Sequence, residues 1–391
     1  MTVIFFIHGM LFASWTAHIP QIERSLGLSD AGLGLALLGA PVGSVAAILV
    51  VAPLLTRVGS RRVIPVTLVG YALAGIAVGL ARSPAGLLAA LALWGVFQGS
   101  LDVAMNTQGI AAQTALGRPI MSGLHASWSL GSFAGAGLGA LAVAIGVSLT
   151  DQLLVLGPLA GLLALGMPGA LLVDRRPPQA EPAARERRVL VHPVVLILGA
   201  IALADMLCEG AAADWSAVYL RTATGAAPGI AGLGYAVFSA TMVAGRLSGD
   251  RLLARRSPRV ILPPLAALAT AGMIVALVVP NPAVALVGLA ALGAGLSMVI
   301  PTTFSAAGRL SGVPTATAIA TVSGIGWVGF VGGPPLIGRL AGLVSLPVAL
   351  GLVPLLTAAI ALAVRGSAAY DGVAQASDEA IDAISVGGPN V

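Results

Sequence analysis

The chain has 391 residues, of which 58% are hydrophobic and 9% charged, with a mean hydropathy of +0.99. Soluble domains carry about 45–50% apolar and about 25% charged residues, so this chain lacks the charge to coat a water-facing surface and reads as a polytopic membrane protein. All 20 basic residues are arginine, a bias shared with the Gly, Ala and Pro content of GC-rich coding, so the pI near 10.3 does not point to a nucleic-acid partner.

A bilayer core about 30 Å thick needs about 20 apolar residues in a helix. Twelve runs qualify, near 3–19, 33–55, 63–81, 85–108, 124–147, 153–173, 191–213, 231–253, 260–279, 283–307, 316–338 and 343–364. They are continuous rather than alternating, which favours helices over a β-barrel. The first run opens at Met1 without the basic flank of a signal peptide; it barely reaches membrane length but reads as a true span. It carries His8 near its middle, a candidate solute ligand with helix packing as the alternative, and His18 at its end. A basic loop, "RVGSRRVIP" (57–65), follows the second run.

The fourth run contains "GSLDVAMNTQG" (99–109). Gln98, Asp102 and Asn106 recur every four residues and form one polar stripe down a helix face. An ionisable group at the centre of a spanning helix costs roughly 2.5–3.5 kcal/mol on insertion scales. Asp102 lies about 10 Å from the nearer helix end at 1.5 Å per residue, too deep for its short side chain to reach the interface. The expectation is a proton carrier at Asp102 and solute binding at Gln98 and Asn106, against the alternative of a structural hydrogen bond. In the fifth run His125, at a depth comparable to Asp102, is a candidate proton relay. Gly131, Gly135 and Gly139 give the same run a smooth face for close packing.

"DRRPPQAEPAARERR" (174–188) breaks the apolar pattern and reads as a solvated linker. It divides the chain into a six-span unit at 1–173, a linker at 174–190, a second six-span unit at 191–365 and a tail at 366–391 expected to be disordered. The seventh run carries Asp205 and Glu209 four residues apart, candidate proton carriers, with Trp215 near its end as a candidate solute ligand. Glu209 is the stronger carrier, and Asp205 has helix packing as its alternative. The one cysteine, Cys208, cannot form an internal disulfide. Further along, "RRSPRVILP" (255–263) matches 57–65 at an offset of 198 residues, and the same offset carries Gly131 onto Gly329 and Gly135 onto Gly333. That is the mark of an internal repeat. The acids do not repeat: Asp102 and Asn106 fall on Ile300 and Phe304, and Asp205 and Glu209 on Ile7 and Leu11. The four histidines are too dispersed for a metal site. Pro334 and Pro335 in "GGPPLIG" (332–338) are expected to kink or loosen the eleventh span.

Six plus six spans with a basic loop after the second span of each half resemble the major facilitator superfamily over essentially the whole chain. Together "LDVAMNTQG", "GRPIMSGLHASWSLGS", "AADWSAVYL" and "GPPLIG" resemble its MosC-like branch. The resemblance implies an all-α membrane protein with twelve transmembrane helices in two pseudo-symmetric six-helix bundles. It also implies a cavity lined mainly by spans 1, 4, 7 and 10 and alternating access by rocking of the bundles. The superfamily loop usually reads Gly-x-x-x-Asp-Arg-x-Gly-Arg-Arg; here 52–61 is "APLLTRVGSR", with Thr56 in place of the aspartate, and the second-half equivalent is Ala254. The implied gate uses Arg57 and Arg61 in the first half. In the second, Asp250 lies one turn early and is placed to pair with Arg251, Arg255 or Arg259, with plain topology signalling as the alternative.

With the first loop outside, 16 arginines fall on the inner side and 4 on the outer, which predicts cytoplasmic termini in a cell membrane. No arginine is expected near the middle of a span, so a buried clamp for anions is not expected either. The sequence therefore predicts a monomeric, proton-coupled symporter of a small polar uncharged solute, sugar- or cyclitol-like. It is embedded in the lipid bilayer, needs no cofactor beyond the proton gradient and is not an enzyme. The rivals are a proton antiporter exporting amphiphilic compounds and a non-transporting membrane sensor.

Overall fold

The computed structural model describes residues 1–116, 120–166, 169, 171–172, 192–253, 255–310, 313 and 315–371, without the side chains of 48–50, 52, 53, 56, 114, 122, 164, 165, 250, 315 and 316. The first half comprises α1 (Thr2–Ser14), α2 (Ile19–Leu26), α3 (Asp30–Leu37), α4 (Gly39–Val58), α5 (Ser60–Gly79), α6 (Pro84–Leu116), α7 (Met121–Ala144) and α8 (Leu149–Gly166). The second comprises α9 (Pro193–Thr222), α10 (Pro228–Leu253), α11 (Pro258–Val278), α12 (Pro282–Leu296), α13 (Val299–Gly308), α14 (Thr315–Leu343), α15 (Leu346–Leu350) and α16 (Leu352–Gly366). Among the described residues eleven spans are long and apolar enough to cross a membrane, and Leu149–Leu163 of α8 is a shorter apolar helix in the place of the twelfth. The linker lies outside the described residues.

Local chemistry sets the ends. Proline at the first helical position starts α9, α11 and α12, where its missing N–H costs nothing. Asn281 caps α12 by accepting from the backbone N–H groups of Ala283 and Val284, and Ser29 caps α3 through Gly32. Gly27 ends α2 in the left-handed conformation, which only glycine adopts without strain.

Among the described residues four spans are interrupted: span 2 at Leu38 between α3 and α4, span 12 at Gly351 between α15 and α16, and spans 1 and 10. Span 1 is longer than the sequence suggests, running Thr2–Leu26 with a 3₁₀ turn at Thr16–His18 between α1 and α2. Gln152 of α8 ties this break: its Nε2 donates to the Ser14 carbonyl at 2.9 Å, and its Oε1 meets His18 Nε2 at 3.0 Å. Span 10 is divided at Ser297 and Met298 between α12 and α13. Pro301 has no N–H to offer the Ser297 carbonyl one turn back, which leaves that oxygen open. By contrast α14 runs on through Pro334 and Pro335 as one helix; the expected kink does not interrupt it.

The halves repeat their packing. In the first, α1 packs on α7, α4 on α6, and α5 on α6 and α8; the second pairs α9 with α14, α10 with α12, and α11 with α12 and α16. The glycine face explains how close this is: a Cβ on Gly131, Gly135 or Gly139 would collide with the carbonyls of Phe6, Met10 and Ser14, and one on Gly329 with that of Leu203.

The halves meet most closely on the face opposite the chain ends. There α3 packs on α14, and α2 with the 3₁₀ turn packs on α9 and α10. A Cβ on Gly34 would stand 2.5 Å from the Pro334 carbonyl oxygen, and one on Gly338 2.5 Å from that of Asp30. The α7 and α10 helices run antiparallel, with Gly229 and Gly232 against Ala144 and Ala140. These contacts close the far face.

The tail is ordered where it begins. Ser367 leads into a 3₁₀ turn at Ala368–Tyr370, and Tyr370 is buried. The expectation of disorder from residue 366 is corrected for 367–371; residues 372–391 lie outside the description. The apolar period stops there, but the buried Tyr370 ring, the Ser367 cap and the Asp371–Arg259 pair hold these five residues.

Candidate functional site

Arg246 organises the interior. It lies on α10, about two turns before that helix ends, and its side chain points into the bundle rather than out to the interface. Nη2 meets Glu209 Oε1 of α9 at 3.4 Å, Nη1 donates to Ser129 Oγ of α7 at 2.9 Å, and Nε donates to the open Ser297 carbonyl at 3.4 Å. Ser129 Oγ is free to accept because its own proton goes to the His125 carbonyl. One guanidinium thus joins spans 5, 7 and 10 to span 8 and bridges the two halves. About a quarter of each charged side chain remains exposed, so water reaches the pair. Arg246 is not at mid-span, but its guanidinium reaches inward, so a partly buried cation is present where none was expected. The inner arginine count includes Arg246 as a topology signal, but its fork has three oxygen partners in the interior, one of them a carboxylate. Pro301 is the sequence signal for the open carbonyl.

Asp205, one turn from Glu209, is wholly buried, and neither carboxylate oxygen has a hydrogen-bond partner among the described residues. Trp215 is also wholly buried with its indole N–H unpartnered among the described residues.

The stripe on α6 is more self-contained. Asn106 Nδ2 donates to the Asp102 carbonyl at 2.9 Å and to Asp102 Oδ1 at 3.2 Å. Both residues are half-buried, as is Gln98. His125 is exposed, with its ring edge-on to Phe5 at 5.4 Å, and among the described residues no hydrogen bond joins it to Asp102. His8 accepts the indole proton of Trp128 on Nδ1 at 2.9 Å, so the neutral ring carries its own proton on Nε2, which is buried and unpartnered. His8 therefore holds Trp128. Phe12 and Trp128, both half-buried, lie 5.8 Å apart, and Phe12 also meets Tyr235 of the second half at 6.4 Å. Beside the Arg246 hub the interior thus offers an aromatic platform.

At the loops, Arg57, Arg251 and Arg255 are exposed and Arg61 is half-buried. Arg259 pairs with Asp371, Nη1 reaching both carboxylate oxygens at 2.9 and 2.8 Å; the side chain of Asp250 lies outside the described residues. Among the described residues no cluster of His, Cys, Asp and Glu could hold a metal ion.

A charged hub between two repeated bundles sealed on one face is the anatomy of a carrier, and the comparisons with known proteins agree. Over 363 residues the chain is 34% identical to an uncharacterised MFS-type transporter of Yersinia pestis, covering 92% of this chain and 93% of that protein. It is 32% identical to the membrane protein MosC of Rhizobium meliloti, covering 88% and 83%. Among solved structures, the nucleoside transporter NupG superposes with a TM-score of 0.73 at 11% identity, covering 93% and 96%, and a bacterial homologue of the human lysosomal transporter Spinster with 0.65 at 18%, covering 93% and 92%. These likenesses show the fold. With the family model matching residues 1–334 and a curated relative 34% identical over 92% of the chain, the chain is a membrane transporter that belongs to the Major Facilitator Superfamily.

Proposed function

We propose that this transporter couples a small polar uncharged solute, sugar- or cyclitol-like, to the inward movement of protons across a cell membrane, with both termini cytoplasmic. The observation that carries the reading is the Arg246 hub. While Glu209 is ionised it holds Arg246, and Arg246 holds Ser129 across the two halves. A proton on Glu209 neutralises that partner and frees Nη2 of the guanidinium to turn toward the solute, so the hold of Arg246 on its other partners depends on proton occupancy. Asp205, buried without a partner, extends the path one turn along α9; a proton there removes the cost of burying a bare carboxylate.

The solute class follows from the balance of groups. Arg246 is matched by Glu209, and Asp102 and Asp205 add further negative charge, which disfavours an anion. Phe12 and Trp128 offer a flat apolar face, and the Gln98–Asn106 stripe offers amides for hydroxyls. A ring with one apolar face and several hydroxyls matches both. The same aromatic contacts favour the second reading, export of an amphiphilic compound in exchange for protons.

Uptake into proteoliposomes under an imposed pH gradient, across polyols, amino acids and lipophilic cations, tests this. The expected result is pH-driven accumulation of a neutral polyol. Accumulation of lipophilic cations alone, against the direction of proton entry, replaces the first reading with the second.

A further inference from the structure

Beyond the last span the chain turns back under the second half. Ser367 Oγ accepts from the Ala369 N–H, and Tyr370 enters the core with its hydroxyl 2.8 Å from Thr303 Oγ1, both residues wholly buried. Asp371 is held by Arg259, whose Nε also donates to the Arg365 carbonyl at 2.8 Å. Thr303 belongs to α13, the half of span 10 beyond the break, and α13 packs on α9, the helix that carries Asp205 and Glu209. Burial pushes the Tyr370 hydroxyl up, the Thr303 bond opposes this, and the nearby Asp205 carboxylate pushes it further up. Asp205 itself faces Glu209 and Cys208 from its own helix, Arg246 from α10 and Tyr370 from the tail.

We propose that Tyr370 is a positioning residue of the proton-coupling site: through Thr303 it holds α13 against α9, the helix that carries Asp205 and Glu209. Protons then reach Asp205 and Glu209 from the side of Arg246, where Glu209 is partly exposed, and not past Tyr370. α13 has only ten residues, and Tyr370 adds a contact to those it makes with α9 and α14. The inference rests on the proton-coupled reading above.

The test compares Tyr370→Phe and Asp371→Asn with the parent and with Glu209→Gln in proteoliposomes, reading solute counterflow, proton flux without solute, and the pH midpoint of accumulation. Tyr370→Phe keeps the ring in the core, so counterflow is expected within about twofold of the parent. Its solute-free proton flux is expected to rise severalfold with a displaced pH midpoint, and Asp371→Asn is expected to do the same more weakly. A parent-like flux and midpoint in Tyr370→Phe, while Glu209→Gln is uncoupled, overturns the role of Tyr370 alone. A Glu209→Gln protein that couples like the parent overturns the coupling reading and this inference with it.

Discussion

Spans 1 and 10 are both broken near the middle of the protein, and they are closed in different ways. At the break in span 1, Gln152 of the same half supplies a neutral amide, satisfied on both sides by Ser14 and His18. At the break in span 10, the donor to Ser297 is a cation with two other partners, one of them an acid and the other in the opposite half. A neutral donor with fixed partners mends a backbone. A charged donor shared among three can be redistributed when one partner takes up a proton. The difference separates architecture from mechanism within one repeated fold.

The largest effect is expected at Arg246. Arg246→Met leaves Glu209 in a mostly buried place without its cation, at a cost of about 3 kcal/mol, the low end for breaking a buried pair. Thermal unfolding in detergent should fall by several degrees and transport should be lost. Adding Glu209→Gln to that variant should restore most of the stability but not the transport; a double variant no more stable than the single breaks the comparison. Next comes Glu209→Gln alone, which keeps the size of the side chain but cannot titrate. Uphill accumulation driven by a pH gradient should vanish, while counterflow, which needs no net proton movement, should persist.

A smaller effect is expected at the α6 stripe. Asp102 has its hydrogen-bond partner on its own helix, so Asp102→Asn should raise KM more than it reduces accumulation. A fully uncoupled Asp102→Asn protein would move the carrier to span 4. The smallest effect belongs to Gln152→Ala, which removes neutral hydrogen bonds worth about 1 kcal/mol each. It should lower the unfolding temperature slightly and leave coupling intact; loss of coupling there would show that the two breaks are not different in kind.

Much of this was legible in the sequence, for identifiable reasons. The spans follow from apolar length, and the 198-residue offset of the glycines becomes the equivalent packing of α1 on α7 and α9 on α14. The Asp102–Asn106 pair follows from four-residue spacing on one helix. Other features depend on contacts far apart in the chain. Arg246 looks like one more basic residue near a loop until α9 brings Glu209 to it. The pairing of Arg259 with Asp371 joins residues more than a hundred positions apart, where local spacing pointed to Asp250. Tyr370 lies in a stretch with no apolar period, and its anchor is a single hydroxyl on another span. Trp215, chosen for its position near a helix end, is turned into the core.

The seal on the far face is built from backbone. Gly34 and Gly338 bring Cα hydrogens against the carbonyls of Pro334 and Asp30, contacts worth about 0.5–1 kcal/mol each and free of side-chain charge. Ionic strength has little to screen there. The exposed Arg259–Asp371 pair on the opposite face weakens as salt shortens the Debye length to about 8 Å at physiological concentration. The far seal therefore answers little to electrolyte, whereas the hold on the tail loosens as salt rises.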